Sequence, residues 1–192
     1  MNTKYFLFGG FILMVLAQLY VPTKMILDKE KIISEGTVFR FKTAPMDPTD
    51  PFRGKYVRLR FEDLSVDIDT SGNWSYNEKG YAILDTDDEG FVYAKKVSKV
   101  EPTETRDYLQ TEVRIRKRSG VSKLLIDLPF DRLYMEESKA LPAEKAFFES
   151  RRDSSKLTYA LVYILDGDYV LTDVMIDGES LKTLAEGRIE EN

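Results

Sequence analysis

The chain has 192 residues, 43% of them hydrophobic and 32% charged, which is enough apolar material for one folded unit with a real core and argues against a disordered chain. The net charge of -5 is concentrated beyond Asp28, since Lys4 and Lys24 but no acid precede it; an acidic domain gains nothing from counterion release, so nucleic acid is not an expected partner. The absence of cysteine and histidine removes disulfides, thiolate and Ser-His-Asp catalysis, histidine-ligated haem and ordinary zinc sites, and no metal or cofactor is expected.

Tyr5 to Val21 reads YFLFGGFILMVLAQLYV, seventeen residues without a charge, at the lower edge of what crosses a hydrocarbon core of ~30 Å. Met25, Ile26 and Leu27 extend it past Pro22 and Lys24, and Tyr5 and Tyr20 suit the two headgroup belts. An uncleaved, single-pass membrane anchor is expected. A cleaved signal peptide competes, because Val15-Leu16-Ala17 has cleavage-site spacing, but bulky Leu19 and Tyr20 follow at once. Lys24, Lys29, Lys31, Arg40 and Lys42 follow the span against Lys4 before it, and taken literally that bias keeps the domain inside. Large domains translocate largely regardless of charge, however, so the expected side is extracytoplasmic.

Asp28 to Glu35, DKEKIISE, runs into Gly36, a residue suited to a helix C-cap, so the anchor helix is expected to continue out of the membrane to that glycine. Residues 1–35 are therefore read as anchor and juxtamembrane extension, and 36–192 as an acidic β-rich domain. Phe39 and Phe41 alternate with Arg40 and Lys42 in a half-buried strand. The stiff, proline-rich connection Pro45 to Gly54 leads into a second strand with Val57, Leu59 and Phe61 on one face and Tyr56, Arg58 and Arg60 on the other. Phe91 to Val100 and Glu112 to Arg118 read as further strands, the latter turning Arg114, Arg116 and Arg118 outward as a solvated face. Leu124 to Met135 reads as two short strands divided at Pro129.

Pro142 suits the first turn of a helix running to about Arg152, the one helix expected in the domain. Leu157 to Leu165 is apolar on both faces, as a central strand would be, with Leu161 in the core. Asp166-Gly167 turns it into a hairpin with Tyr169 to Ile176. The expected fold class is mainly β (α+β): an N-terminal transmembrane helix followed by a compact, mostly antiparallel β domain with one short helix.

Two patterns suggest chemistry. Asp85, Asp87 and Glu89, with Gly90 sixth, match the first half of a calcium loop, but Lys96 stands where a bidentate Glu must close it; an acidic hairpin turn is the preferred reading. Ser98-Lys99, Ser122-Lys123, Ser138-Lys139 and Ser155-Lys156 are adjacent pairs, whose side chains point to opposite sides of a strand and make no dyad by themselves.

Gly54 to Phe61, GKYVRLRF, resembles the motif of the GDYXXLXY family, and the likeness extends to DPTDPFRG before it, to Gly90–Val97, to Tyr134–Glu137 with Glu144, and to the hairpin ending IDG. Lys55 replaces the motif's aspartate and Phe61 its last tyrosine. The resemblance implies an N-terminally anchored bacterial envelope protein, often encoded beside a multi-span membrane protein, and implies no particular reaction.

The residues expected to bind are Asp47, Asp50, Arg53 and Tyr56, polar side chains on or beside a rigid exposed loop. Gly54 is assigned a backbone role, and Leu59 and Phe61 a core role; no catalytic residue is assigned. The expected function is a membrane-anchored interaction or accessory module acting with a polytopic membrane protein. The alternative is an envelope hydrolase or a small-ligand or cation-binding domain working through carboxylates or Ser/Lys.

Overall fold

A computed structural model describes residues 3–44, 56–67, 74–118, 121–152 and 156–190. Helix α1, Thr3–Glu35, runs unbroken through Pro22. Its segment from Leu7 onward is long and apolar enough to cross a membrane, and none of its most apolar stretch is covered by the rest of the chain. Only the last turns meet the domain: Ile32 is buried and the amide of Gly36 closes the helix on the Ile32 carbonyl at 2.9 Å. Gly36 is required there, since a Cβ would lie 2.4 Å from the Ile32 oxygen and 2.8 Å from that of Ile164. Gly36→Ala is therefore expected to lower stability by ~1–3 kcal/mol, the usual cost of overpacking. Thermal melting of the full-length protein checks this, and an unchanged melt would mean that the junction is loose.

Among the described residues, two antiparallel sheets and a two-stranded ribbon follow. The first sheet has the order β1-β9-β10-β11, from β1 (Thr37–Lys42), β9 (Thr158–Leu165), β10 (Asp168–Ile176) and β11 (Glu179–Ser180). The second has the order β3-β7-β6-β4-β5, from β3 (Ser65–Asp67), β4 (Glu78–Thr86), β5 (Val92–Ser98), β6 (Tyr108–Arg118) and β7 (Val121–Asp127). The ribbon pairs β2 (Tyr56–Arg58) with β8 (Arg132–Tyr134).

The β9–β10 turn has φ of +50° at Asp166 and +88° at Gly167, the two left-handed residues that match hairpin twist. Its tip joins the sheets: Gly167 exchanges backbone hydrogen bonds with Tyr108 and Gln110, and a Cβ on it would come within 3.1 Å of the Tyr108 ring. Phe39, Phe41, Ala160, Val162, Ile164 and Val174 from the first sheet share one apolar core with Val57 and Leu133 of the ribbon and Ala82, Leu84 and Leu109 of the second sheet.

Two helices cap this core. Helix α2, Glu137–Arg152, starts five residues before Pro142 and buries Ala143, Ala146 and Phe147. Helix α3, Leu181–Glu190, is an addition to the single helix expected from the sequence. The Ser180 hydroxyl accepts from the Lys182 amide at 3.2 Å, as an N-cap does, and Leu181 and Ala185 face the core.

One core assignment needs correcting. On β9 Thr158, Ala160, Val162 and Ile164 are buried on one face, so Leu161 lies on the opposite face with half-buried Tyr159 and Tyr163, where Leu165 at the strand end is buried. Beside them stand Val170 on β10 and Val38 on β1, 44% exposed. Phe91 meets this face edge-on at Tyr159, with ring centroids 5.6 Å apart, and Arg40 lies over the same ring, but around Leu161 and Tyr163 the cover is partial, so a run apolar on both sides is fully buried along its length on only one.

Candidate functional site

Apolar residues at alternate positions fix which way the motif strand faces. Val57 and Leu59 are buried, Phe61 packs against the same core, and the Leu59 amide is held by the Asp131 carbonyl at 2.7 Å. Tyr56, Arg58 and Arg60 are thereby turned outward, as the period of a strand requires. Leu59 is thus placed in the core with Phe61 partly buried beside it, and Tyr56 on the other side of the strand. Asp47, Asp50, Arg53 and Gly54 lie outside the described residues.

Pairing with β8 builds a surface around Tyr56 that cannot be read locally. Tyr56 stands opposite Tyr134, ring centroids 5.6 Å apart, and the Arg132 guanidinium lies 4.9 Å from the centre of the Tyr56 ring. Arg58 and Arg132 are direct cross-strand neighbours, a like-charge pair that is unfavourable unless compensated. Asp131 supplies the compensation, at 3.6 Å from Arg58 and 3.3 Å from Arg132. A hydrogen bond with Tyr134, followed by the charge of Asp131, raises the Arg132 pKa further and keeps it charged. Tyr134 is 65% exposed, a large aromatic surface held in water.

This ribbon adjoins the end of the domain that receives α1. Between β8, β10 and α1 opens a cleft of 310 Å³, lined by Lys29, Phe130, Asp131, Arg132, Tyr134 and Tyr169 among others. The Tyr169 hydroxyl donates to the Pro129 carbonyl at 2.7 Å, bracing the loop between β7 and β8, and burial pushes its pKa up. Lys29 reaches from α1 to the Tyr169 carbonyl at 3.0 Å and lies 5.4 Å from its ring centre. A larger cleft of 490 Å³ lies between β6, β7 and the β9–β10 turn, with exposed Lys79, Glu112 and Asp168 on its rim.

The other patterns are engaged separately. Asp87 accepts from the amides of Glu89 and Phe91, Asp85 from Thr86 and Lys95, and Glu89 pairs with Lys42 at 3.3 Å. The acidic run is thus a capped hairpin turn, with Gly90 at φ +82°, and its carboxylates do not converge. Arg114 pairs with Asp127 and Arg116 with Asp63 at 2.9 Å, so this part of the basic stripe is neutralised within the domain. In the serine-lysine pairs, Ser98 hydrogen-bonds the backbone of Val100 while Lys99 binds Glu78 at 2.6 Å, Lys123 binds Asp67, and Lys139 binds Glu186. Glu144, on α2, is partly buried, and that desolvation raises its pKa.

No curated protein and no solved structure matches the chain. The family model described as GDYXXLXY protein matches residues 18–174. That match begins within α1, includes the ribbon built on Tyr56 and Tyr134, and ends within β10, so it covers most of the architecture just described. The chain belongs to the GDYXXLXY protein family.

Proposed function

We propose that the protein is a membrane-tethered accessory module whose domain works on the extracytoplasmic side with a multi-span membrane protein, and that it docks through the Tyr56–Tyr134 ribbon and the adjoining loop with Asp47, Asp50 and Arg53. The observation that carries this reading is helix α1, uncovered along its apolar length while its last turns are built into the domain. Such an apolar helix needs lipid or other membrane helices around it. A module so held shares two dimensions with its partner, and the raised effective concentration makes a modest interface sufficient.

Exposed tyrosine beside arginine is the composition of interface anchors. The partly exposed apolar face of the first sheet, around Val38, Leu161 and Tyr163, favours docking over chemistry in the same way. Short of a partner, these groups contribute little to stability, because Arg58, Asp131 and Arg132 are solvent-screened.

The test is co-purification from membranes with variants at the ribbon and the loop. Tyr134→Ala, Arg132→Ala, Asp50→Ala and Arg53→Ala are expected to keep thermal stability within about 1 kcal/mol, as for surface substitutions. The yield of the multi-span partner is expected to fall at least tenfold for Tyr134→Ala, about 1.4 kcal/mol of interface energy. Variants that melt early yet retain the partner would make the ribbon a structural support and refute the assignment.

A further inference from the structure

The 310 Å³ cleft lies at a depth set by the helix. Apolar side chains on α1 continue to Leu27, with Met25, Ile26 and Leu27 all more than 60% exposed. Lys29 is two residues further, about 3 Å along the axis. Because Ile32 is buried in the domain and Gly36 is closed on the helix, α1 fixes the cleft beside Lys29, at the level where hydrocarbon gives way to headgroups.

The lining suits one class of occupant. Lys29 and Arg132 line the cleft and Arg58 stands beside it, against Asp131, the one carboxylate among the described lining residues, and Asp168, whose charge reaches the neighbouring Tyr169. This is a local excess of positive charge on a chain whose net charge is -5, so an anion is favoured here although the domain as a whole repels anions. Tyr134 and Tyr169 add aromatic walls with hydroxyls, and Phe130 adds an apolar floor. The volume lies at the small end of the ~300–1,000 Å³ typical of ligand pockets, enough for one headgroup and too little for a folded peptide segment.

We propose that this cleft binds the phosphate-bearing headgroup of an anionic phospholipid from the leaflet beside the domain. Lys29 and Arg132 meet the phosphate, and Tyr134 and Tyr169 flank the glycerol. The bound lipid orients the domain against the bilayer and presents the ribbon to one side. This inference rests on α1 spanning a membrane, but not on the identity of the partner.

Native mass spectrometry of the full chain in detergent tests it, with dioleoylphosphatidylglycerol or dioleoylphosphatidylcholine added, and with inorganic phosphate as a competitor. The expected result is one retained phosphatidylglycerol in preference to phosphatidylcholine. Lys29→Gln and Arg132→Gln are each expected to lower retention about fivefold, the equivalent of ~1 kcal/mol per cation near an anionic surface. Lys95→Gln, a distant exposed lysine paired with Asp85, is expected to change nothing, and unaltered melting shows that the variants are folded.

Equal retention of the two lipids, or no loss in either cleft variant, overturns the proposal. Displacement of the lipid by inorganic phosphate also overturns it, by making the site one for a soluble anion. Loss of partner yield in Lys29→Gln without any lipid preference in the purified chain assigns the cleft to an acidic loop of the partner instead, and likewise overturns it. Carbonate-washed membranes run in parallel keep the two readings apart, because retained protein leaves the anchor standing when the lipid site fails.

Discussion

Phe41→Ala is expected to destabilise the domain by about 3–5 kcal/mol, the range for truncating a buried phenylalanine. Phe41 is 1% exposed and meets Phe130 and Phe61 edge-on, with ring centroids 5.1 and 6.0 Å away. It bridges β1 to the loop before β8 and to the end of the motif strand, whose Glu62 amide donates to the Lys42 carbonyl of β1 at 3.0 Å. Its loss opens a cavity at the junction of three elements, where collapse is difficult. For a domain of this size the corresponding fall in melting temperature is roughly 6–20 °C. Leu161→Ala, on the half-buried face of β9, is expected to cost only about 1 kcal/mol, around half the transfer energy of a fully buried leucine. Thermal melting of both variants measures the contrast. Equal losses would mean that the outer face of the first sheet is covered after all.

The second large effect lies in α1. Leu13 and Leu16 are 72% and 62% exposed along α1, so either would face lipid in a spanning helix. Replacing one of them by Lys near the helix centre is expected to add ~2.5–3.5 kcal/mol to the cost of insertion, and replacing both about twice that. Carbonate-washed membranes should then retain the original chain and release much of the doubly substituted one. Release of the unsubstituted protein would remove the anchor, and a mature amino terminus at Gln18 would identify a cleaved signal instead. The domain should melt alike in all these variants, since the substituted positions touch none of its core.

Much of this architecture is visible in local pattern, and its limits are physical. The alternation of Phe39 and Phe41 with charged neighbours, Gly36 at the helix end and Asp166-Gly167 between apolar runs each state a local rule that the fold obeys. Helix α3 was hidden because it is short and contains Gly187, a weak helix former; Ser180 before Leu181, Leu184 and Ala185 was the available signal. Pattern alone puts Leu161 in the core, because an apolar run carries no mark of which face meets a second layer.

At the candidate site the same division holds. That Tyr56 turns away from Leu59 follows from strand period alone, whereas Tyr134, Arg132 and Asp131 reach it through the β2–β8 pairing of distant segments. No local pattern encodes such a pairing. Lys29 joins the cleft only because α1 remains helical beyond the apolar run and packs beside β10. In the sequence it counts merely as one of several lysines after the span.

Site-specific photo-crosslinking in intact membranes tests the central claim most directly. A photoreactive amino acid is placed at Tyr134 on the ribbon and, as a control, at Tyr76, which is 72% exposed on the β3–β4 connection. The account predicts that Tyr134 yields a discrete adduct with a carbonate-resistant, multi-span protein. It further predicts that the adduct weakens at least fivefold when Arg132→Ala is added, and that Tyr76 yields none. Equal adducts from both positions, or an adduct at Tyr134 that forms only with soluble proteins, would contradict a membrane-tethered module that docks through this ribbon.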